Sequence, residues 1–247
     1  MNNRPIIKIE NLTYTYPDGP CALNDINLNI YEGEKVALAG RNGAGKSTLL
    51  LAIGGFIPFS GKIFVAGKKL MASNIREIRK HIGFVFQNPD HQLFMPTVEE
   101  DVAFGPLNMN LSSDEIARRV TQALSFTQTT HLRRRSPHHL SIGEKHRVAI
   151  ATVLSMNPDI LILDEPSASL DPSCRRKTIE LLKSMNKTMI IAGHDLPLLL
   201  EVCNRALIMD NGKVTVDSEP QATFTNTEIM KTFGLELPYL PKPFIPE

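Results

Sequence analysis

The stretch GRNGAGKST at residues 40–48 contains the residue types that bind nucleotide phosphates. It satisfies the pattern G-x-x-x-x-G-K-[ST], in which glycines let backbone N–H groups turn towards a phosphate and a lysine reaches the β- and γ-phosphates. Lys46 is that lysine, and the Ser47 hydroxyl is placed to bind Mg²⁺. The motif predicts a nucleotide-binding loop made of Asn42, Gly43, Ala44, Gly45, Lys46, Ser47 and Thr48.

Two adjacent carboxylates supply the second half of a hydrolytic site. The stretch ILILDEPSASLD at 160–171 begins as an apolar strand candidate that ends in Asp164 and Glu165. A nucleotide hydrolase needs one acid beside Mg²⁺ and another beside the attacking water. We therefore expect Asp164 to bind Mg²⁺ and Glu165 to orient and deprotonate water. Such a pair could also be a solvated turn, and the phosphate motif favours the catalytic interpretation.

A second candidate anion site lies at 140–144, where the sequence reads LSIGE. Ser141 and Glu144 form a capping box at the start of the apolar-periodic run 145–156. The beginning of a helix presents free backbone N–H groups and the positive end of the helix dipole. The chain therefore contains a second place where a phosphate could bind.

Apolar runs and turn residues predict the elements that position these motifs. A helix is predicted over 112–126, with a capping box of Ser112 and Glu115, and another over 172–186, capped by Asp171. Most of the segment 87–157 reads as helical, which predicts an α/β core with a helical insertion. The last ten residues contain four prolines and predict an extended tail. Strands are predicted at 35–39, 62–66, 82–86, 160–163, 188–192, 206–209 and 213–217.

Composition excludes several broad classes of function. The chain has 247 residues with 27 basic and 26 acidic side chains, so its net charge of +1 argues against a nucleic-acid partner. Its N-terminus has no apolar signal-peptide region, and no run reaches the roughly 18 apolar residues of a membrane span. We expect a soluble, cytoplasmic protein. Its cysteines, Cys21, Cys174 and Cys203, lack C-x-x-C spacing and are expected to be unpaired thiols.

The motifs together resemble the nucleotide-binding subunits of ATP-binding-cassette (ABC) transporters, from about residue 6 to 217. Tyr16 matches the aromatic residue that stacks on adenine, and Gln87 matches the glutamine between the core and the helical subdomain. LSIGE is similar to the family signature L-S-G-G-Q, SASLD to the loop that ends in Asp171, and GHD to the motif of the switch histidine, His194. Ile142 and Glu144 depart from the signature.

This resemblance implies an α/β fold, a P-loop (RecA-like) ABC ATPase core with an N-terminal antiparallel β subdomain and an inserted helical subdomain. Residues 1–86 and 158–217 would form the nucleotide-binding core, and 87–157 the helical subdomain with the signature. Residues 218–247 would be a C-terminal extension with a Pro-rich tail.

The resemblance also implies site roles. ATP and Mg²⁺ would be the cofactors, Glu165 and His194 the catalytic residues, and Ser47, Gln87 and Asp164 the Mg²⁺ site. Two subunits, identical or different, would pair head to tail with ATP between them. The signature residues of one subunit would then act on the partner's ATP, with backbone donors at Ser141 and Gly143, and Asp171 would lie at the dimer contact.

The stretch FQNPDHQLFMPTVEEDVAFGPLN at 86–108 indicates the branch of the family. Thr97 and Glu100 form a capping box, and the acids Glu99, Glu100 and Asp101 follow an apolar stretch at 93–95. Apolar residues rimmed by acids suit a docking groove for a basic or amphipathic helix, and an insertion that packs on its own subdomain is the alternative.

The sequence of this stretch, like that of GHDLPLLLEVC at 193–203, resembles the ATPases of energy-coupling-factor importers of the cobalt/nickel type. The implied partners are a membrane T-component, whose arginine-bearing coupling helices enter the groove beside Gln87, and a substrate-binding membrane subunit. The implied location is the cytoplasmic face of the cell membrane. Alternatives are an ATPase of a vitamin-type importer, a soluble ABC ATPase acting on nucleic acid, and a nucleotide-binding module that hydrolyses little ATP.

Overall fold

The structure, a computed structural model, describes residues 4–238. Its strands are β1 (Ile7–Thr15), β2 (Cys21–Ile30), β3 (Lys35–Ala39), β4 (Ser60–Val65), β5 (Lys68–Lys69), β6 (Ile82–Val85), β7 (Ile160–Asp164), β8 (Thr188–Ala192), β9 (Arg205–Asp210) and β10 (Lys213–Ser218). Its helices are α1 (Lys46–Ile53), α2 (Ile75–Ile78), α3 (Val98–Asn108), α4 (Ser113–Phe126), α5 (Ile142–Leu154), α6 (Pro172–Ser184), α7 (Leu196–Val202), α8 (Pro220–Phe224) and α9 (Thr227–Thr232).

A six-stranded sheet of order β10-β9-β3-β8-β7-β6 positions the motifs. Its neighbours from β9 to β6 are parallel, and β10 pairs antiparallel with β9. The strands predicted for this sheet are confirmed. Its central strands are apolar runs buried on both faces, with every residue of β7 and of β8 buried, whereas the edge strand β10 is mostly exposed. One face packs on α1 and a second sheet, and the other face packs on the helical segment.

The second sheet is antiparallel, of order β2-β1-β4-β5. Strands β1 and β2 were not among the strands predicted from apolar runs, because bulges break their alternation and Asn11 has a φ of 49°. The end of β2 does carry a usable signal. Ile26, Leu28 and Ile30 are buried and alternate with exposed Asn27 and Asn29, which is the period of a half-buried strand.

Three packed helices, α3, α4 and α5, lie between β6 and β7. The predicted helix 112–126 is confirmed as α4, and the Ser112 side chain accepts the N–H of Glu115 at 3.4 Å. The predicted capping box is only half formed. The Glu115 carboxylate pairs with Arg118 and Arg119 at 2.7 and 2.6 Å instead of reaching back to Ser112.

The C-terminal part contains helices that the sequence analysis missed. The predicted helix 172–186 is confirmed as α6, with Asp171 as its cap. Helices α7, α8 and α9 are short, and α7 is apolar around much of its circumference, so none has a clear amphipathic period. The expected Pro-rich tail lies outside the described residues, except for Pro238. Over residues 4–238, no helix combines the length and apolar character that crossing a membrane requires.

Candidate nucleotide site

The sheet brings the phosphate loop, the two acids and the switch histidine to one edge. Strand β8 lies between β3 and β7, with Ala192 beside Leu38 and Asp164, so the loops after all three strands meet. They border a cavity of about 420 Å³. The cavity is lined by Tyr16, Pro20, Cys21, Ala22, Asn42, Gly43, Gly45, Lys46, Ser47, Thr48, Gln87, Glu165 and His194.

Glycines give the phosphate loop its shape at two positions of close approach. Gly40 has a φ of 150° and Gly45 a φ of 102°. A Cβ on Gly40 would overlap the carbonyl oxygen of Met209, and one on Gly45 would overlap that of Ala22. Only glycine fits such backbone, and Gly45 then begins α1 so that the free N–H groups of its first turn face the cavity. This is an anion site of the predicted kind.

Lys46 is buried in the middle of the loop. Its ammonium donates to the carbonyl oxygens of Gly40 and Arg41 at 2.8 and 3.1 Å and lies 3.3 Å from His194 Nε2. Burial lowers the pKa of Lys46, and the nearby carboxylates of Glu165 and Asp164 oppose that shift. Phosphate oxygens in the cavity would offer this ammonium stronger acceptors than the two carbonyls.

Asp164 has the properties of a cation ligand. It is 8% exposed, and its Oδ1 is buried without a hydrogen-bond partner among the described residues. Burial raises its pKa, and the Ser47 hydroxyl and Lys46 oppose this. An unpaired buried carboxylate oxygen is costly unless a cation or donor satisfies it. With Ser47 and Gln87 on the cavity wall, the oxygen donors fit Mg²⁺, which binds few protein oxygens and keeps several waters.

Glu165 is held in a backbone conformation that glutamate rarely adopts. Its φ is 50°, and its N–H donates to the carbonyl oxygen of Ala192 at 2.9 Å. Its carboxylate Oε2 accepts the backbone N–H of His194 at 3.3 Å, and Nε2 of the His194 imidazole lies 3.5 Å from Oε1. Burial raises the pKa of Glu165, while His194 and Lys46 oppose the shift. Such strain is typical of functional sites, and here it accompanies a carboxylate that lines the cavity.

Tyr16 lines the same cavity. Its hydroxyl is 3.2 Å from Thr48 Oγ1, and its ring meets Tyr14 edge to face at 4.9 Å between centroids. The side chain remains 41% exposed. A partly exposed ring fixed at its hydroxyl can stack on a nucleotide base.

The signature residues lie away from this cavity, at the beginning of α5. The predicted capping box is confirmed: Ser141 Oγ accepts the Glu144 N–H, and Glu144 Oε2 accepts the Ser141 N–H at 2.8 Å and its hydroxyl at 2.9 Å. The Ser141 N–H is therefore engaged within the chain in this structure, and its role as a donor to a partner's phosphate stays a prediction. Gly143 packs against Cys174, where a Cβ would come within 2.6 Å of the sulfur.

The predicted acid rim needs correction at Asp101. Asp101 is 3% exposed and Oδ1 accepts the N–H groups of Phe94 and Met95, so it lies beneath the surface instead of on a rim. Glu99 pairs with Arg133, and the Glu100 carboxylate caps α3 through Thr97. Glu99 and Glu100 are engaged within the chain but stay at the surface, and their role in coupling stays a prediction.

An aromatic groove lies beside these acids, between β6 and α3. Its cavity measures about 310 Å³, and Phe94 and Phe104, 58% and 42% exposed, meet edge to face at its border. Arg79 lies over the ring of Phe56 at 4.5 Å. This groove is more apolar than the acid-rimmed surface that the sequence predicted.

Sequence reasoning missed Asp195, which joins two motif loops. Its carboxylate accepts the Ser167 hydroxyl at 2.9 Å and both an Nε and an Nη of Arg175 at 2.5 Å, and it caps α7. Burial would raise its pKa, but the Arg175 and backbone hydrogen bonds outweigh that effect and lower it. Its position immediately before the apolar run of α7 is an N-cap signal that could have found it.

Comparisons with known proteins agree with this geometry. A family model described as "ABC transporter" matches residues 23–168. The energy-coupling factor transporter ATP-binding protein EcfA of Carboxydothermus hydrogenoformans is 46% identical, over 96% of this chain and 89% of that protein. EcfA of Methanocaldococcus jannaschii is 43% identical, over 94% and 86%.

Solved structures show the same fold. CbiO1 from Clostridium perfringens, described as part of the ABC transporter complex cbiONQ, superposes with a TM-score of 0.82 at 42% identity, over 93% of this chain and 94% of that one. The dimeric ATP-binding cassette MJ0796, bound to ADP and Pi, superposes with a TM-score of 0.78 at 32% identity, over 87% and 98%.

Proposed function

The chain belongs to the ABC transporter family, as an ATPase of the energy-coupling-factor type, and on that premise we propose that it drives an importer for cobalt or nickel ions. It would work as a nucleotide-sandwich dimer on membrane subunits, at the cytoplasmic face of the cell membrane. The observation that supports its role as the ATP-hydrolysing motor is that Lys46, Glu165 and His194 line one cavity.

The chain's own residues account for hydrolysis. The phosphate loop and Lys46 hold the phosphates, and Glu165 orients a water molecule and takes its proton. His194 Nε2 lies between the Lys46 ammonium and the Glu165 carboxylate, at 3.3 and 3.5 Å, so it is placed to respond to phosphate and base together. Mg²⁺, when bound, would be held by Ser47, Asp164 and Gln87 and would neutralise phosphate charge.

The dimer is proposed because the signature residues do not line the nucleotide cavity of their own chain. Ser141, Gly143 and Glu144 are absent from its lining, and a head-to-tail pair would bring them onto the partner's ATP. Asp171, which caps α6 through Ser173 and Cys174, would lie at this contact. The dimeric cassette MJ0796 supports the arrangement.

The aromatic groove is the proposed docking site for the coupling helices of a membrane T-component. Phe94 and Phe104 offer exposed apolar surface, and Gln87 on the nucleotide cavity wall is close in sequence to the groove. Because Asp101 is buried and Glu99 is paired with Arg133, apolar contact would supply most of the affinity. A separate membrane subunit would bind the transported substrate.

Transport by the assembled complex tests the proposal. The chain would be co-expressed with its membrane partners, purified and reconstituted into liposomes. ATP-dependent uptake of radioactive Co²⁺ or Ni²⁺, lost in the Glu165→Gln variant, is the expected result. Uptake of a vitamin without either metal would establish the vitamin-type alternative. Purification without any membrane partner, together with ATPase activity stimulated by nucleic acid, would favour the soluble alternative.

A further inference from the structure

The phosphate loop is attached to the C-terminal extension through one arginine. Arg41 is the second residue of GRNGAGKST, and its Nε donates to the carbonyl oxygen of Phe233 at 2.8 Å, directly after α9. The extension is itself anchored, because Phe224 and Met230 are buried in the core. The Arg41 guanidinium therefore bonds to a segment that is itself packed on the core.

The backbone of the same residue reaches the nucleotide machinery. The Arg41 carbonyl oxygen accepts the Lys46 ammonium at 3.1 Å and the Ala44 N–H at 3.2 Å. Arg41 is not among the residues that line the nucleotide cavity. Its side chain thus contacts the extension while its carbonyl contacts the phosphate-binding lysine.

Gly234 makes room for this contact. It has a φ of 58° and closes α9 through the Leu235 N–H, which donates to the Met230 carbonyl oxygen at 2.8 Å. A Cβ at Gly234 would overlap Nε, Cζ and Nη2 of Arg41. Because a guanidinium can swing away at little cost, an alanine here would displace Arg41 without disturbing the core.

We propose that Arg41 is a positioning residue that ties the phosphate loop to the C-terminal extension and thereby sets the loop for nucleotide phosphates. The extension would then be part of the nucleotide site, although none of its described residues, 218–238, lines the cavity. This inference rests on nucleotide binding by the proposed ATPase and not on what is transported.

The test measures the dissociation constant of MgADP for the purified full chain by calorimetry. Arg41→Ala and Gly234→Ala are each expected to weaken binding about threefold to tenfold, the scale of a partly exposed hydrogen bond from a charged group. Arg41→Lys should recover part of the affinity, because an ammonium can still reach a carbonyl oxygen. Gly67→Ala is the matched control: Gly67 has a φ of 78°, and a Cβ there meets no described atom within 4 Å.

Thermal melting separates a positioning role from loss of fold. Gly67→Ala and Gly234→Ala carry similar backbone strain, so both should lower Tm, while only Gly234→Ala should weaken MgADP. In an Arg41→Ala background, Gly234→Ala should have no further effect on affinity. Wild-type affinity in Arg41→Ala, or undiminished weakening by Gly234→Ala in that background, would overturn the inference. A wild-type chain that binds no MgADP would overturn the proposed function with it.

Discussion

One carboxylate oxygen of Glu144 accepts both the backbone N–H and the hydroxyl of Ser141, at 2.8 and 2.9 Å. The Ser141 N–H makes the largest contribution to lowering the pKa of Glu144, so the carboxylate is ionised at neutral pH. In the proposed dimer, the same Ser141 groups face the partner's γ-phosphate. Carboxylate and phosphate would compete for these donors and repel each other, so the capping box must loosen before the dimer closes.

Glu144→Gln is therefore expected to strengthen ATP-driven dimerisation. Glutamine also fits a capping box, so α5 is retained while the negative charge is removed. In a Glu165→Gln background, the ATP concentration for half-dimerisation, measured by size-exclusion chromatography, should fall about threefold, as the loss of one exposed like-charge contact suggests. Glu100→Gln is the matched control, because Glu100 caps α3 through Thr97 in the same way and does not line the nucleotide cavity. An equal change in both variants, or a weaker dimer with Glu144→Gln, would contradict this explanation.

Glu165→Gln alone should bind MgATP but turn it over about 10² to 10⁴ times more slowly, the usual contribution of a general base. The amide cannot take a proton from water, whereas Lys46 and the phosphate loop are unchanged. Single-turnover hydrolysis and equilibrium binding of MgATP measure the two properties separately. Near wild-type turnover would remove Glu165 from the mechanism and leave His194 as the next candidate base.

The core of the fold could be predicted because its signals are local. The strands that end at the site are short apolar runs, and Asp171, Ser141 and Thr97 are caps that the structure confirms. Strand β1 was missed because a bulge near Asn11 breaks its alternation. Helix α9 was missed because its contacts depend on where the extension packs, and that is a long-range property.

The residues of the site could be predicted from the sequence, but many of their hydrogen-bond and ion-pair partners could not. Residue types and spacing predicted that Lys46, Ser47 and Glu165 would lie together, and they line one cavity. Which polar groups are already satisfied within the chain could not be predicted. Arg133 lies 34 residues from its partner Glu99, and Phe233 lies 192 residues from Arg41, so no local pattern marks either pair.

Asp101 should give the chain a stability that depends on pH. Burial raises its pKa above the ordinary 3.8, although the N–H groups of Phe94 and Met95 oppose the shift. The folded chain then holds the Asp101 proton more tightly than the unfolded chain does. The contribution of Asp101 to the free energy of unfolding is therefore fully present below pH 3.8. It is lost as pH rises through the pKa that Asp101 has in the folded chain.

Asp101→Asn removes this titration while keeping an oxygen for the two N–H groups. The free energy of unfolding of the wild type, relative to Asp101→Asn, should therefore decrease as pH rises from 3.8, the ordinary Asp pKa, towards neutrality. Urea unfolding at a series of pH values measures the difference. A difference that is constant with pH, or that increases, would show that Asp101 does not titrate in this way.

Docking on the membrane partner should depend on the aromatic border of the groove. Replacing Phe94 and Phe104 by alanine removes an edge-to-face pair with 5.0 Å between ring centroids. These are two of the three large exposed aromatic side chains that line the groove. We expect loss of co-purification with the membrane subunits and little change in MgADP binding. Phe126→Ala is a control, because Phe126 is 45% exposed but borders a different cavity. Co-purification that survives the double substitution would exclude this groove as the docking site.

Ile142 is expected to hinder closure of the dimer by its bulk. It is the first residue of α5, helical in conformation and 40% exposed, so the position does not require the backbone freedom of glycine. In a Glu165→Gln background, Ile142→Ala should lower the ATP concentration for half-dimerisation, because it removes bulk and favours the helix. Ile142→Gly should help less, since glycine costs a helix about 1 kcal/mol relative to alanine. Weaker dimerisation in Ile142→Ala than with Ile142 would mean that the isoleucine side chain stabilises the interface by packing. Comparing the ATP concentrations for half-dimerisation of the alanine and glycine variants separates this packing effect from the effect on helix stability.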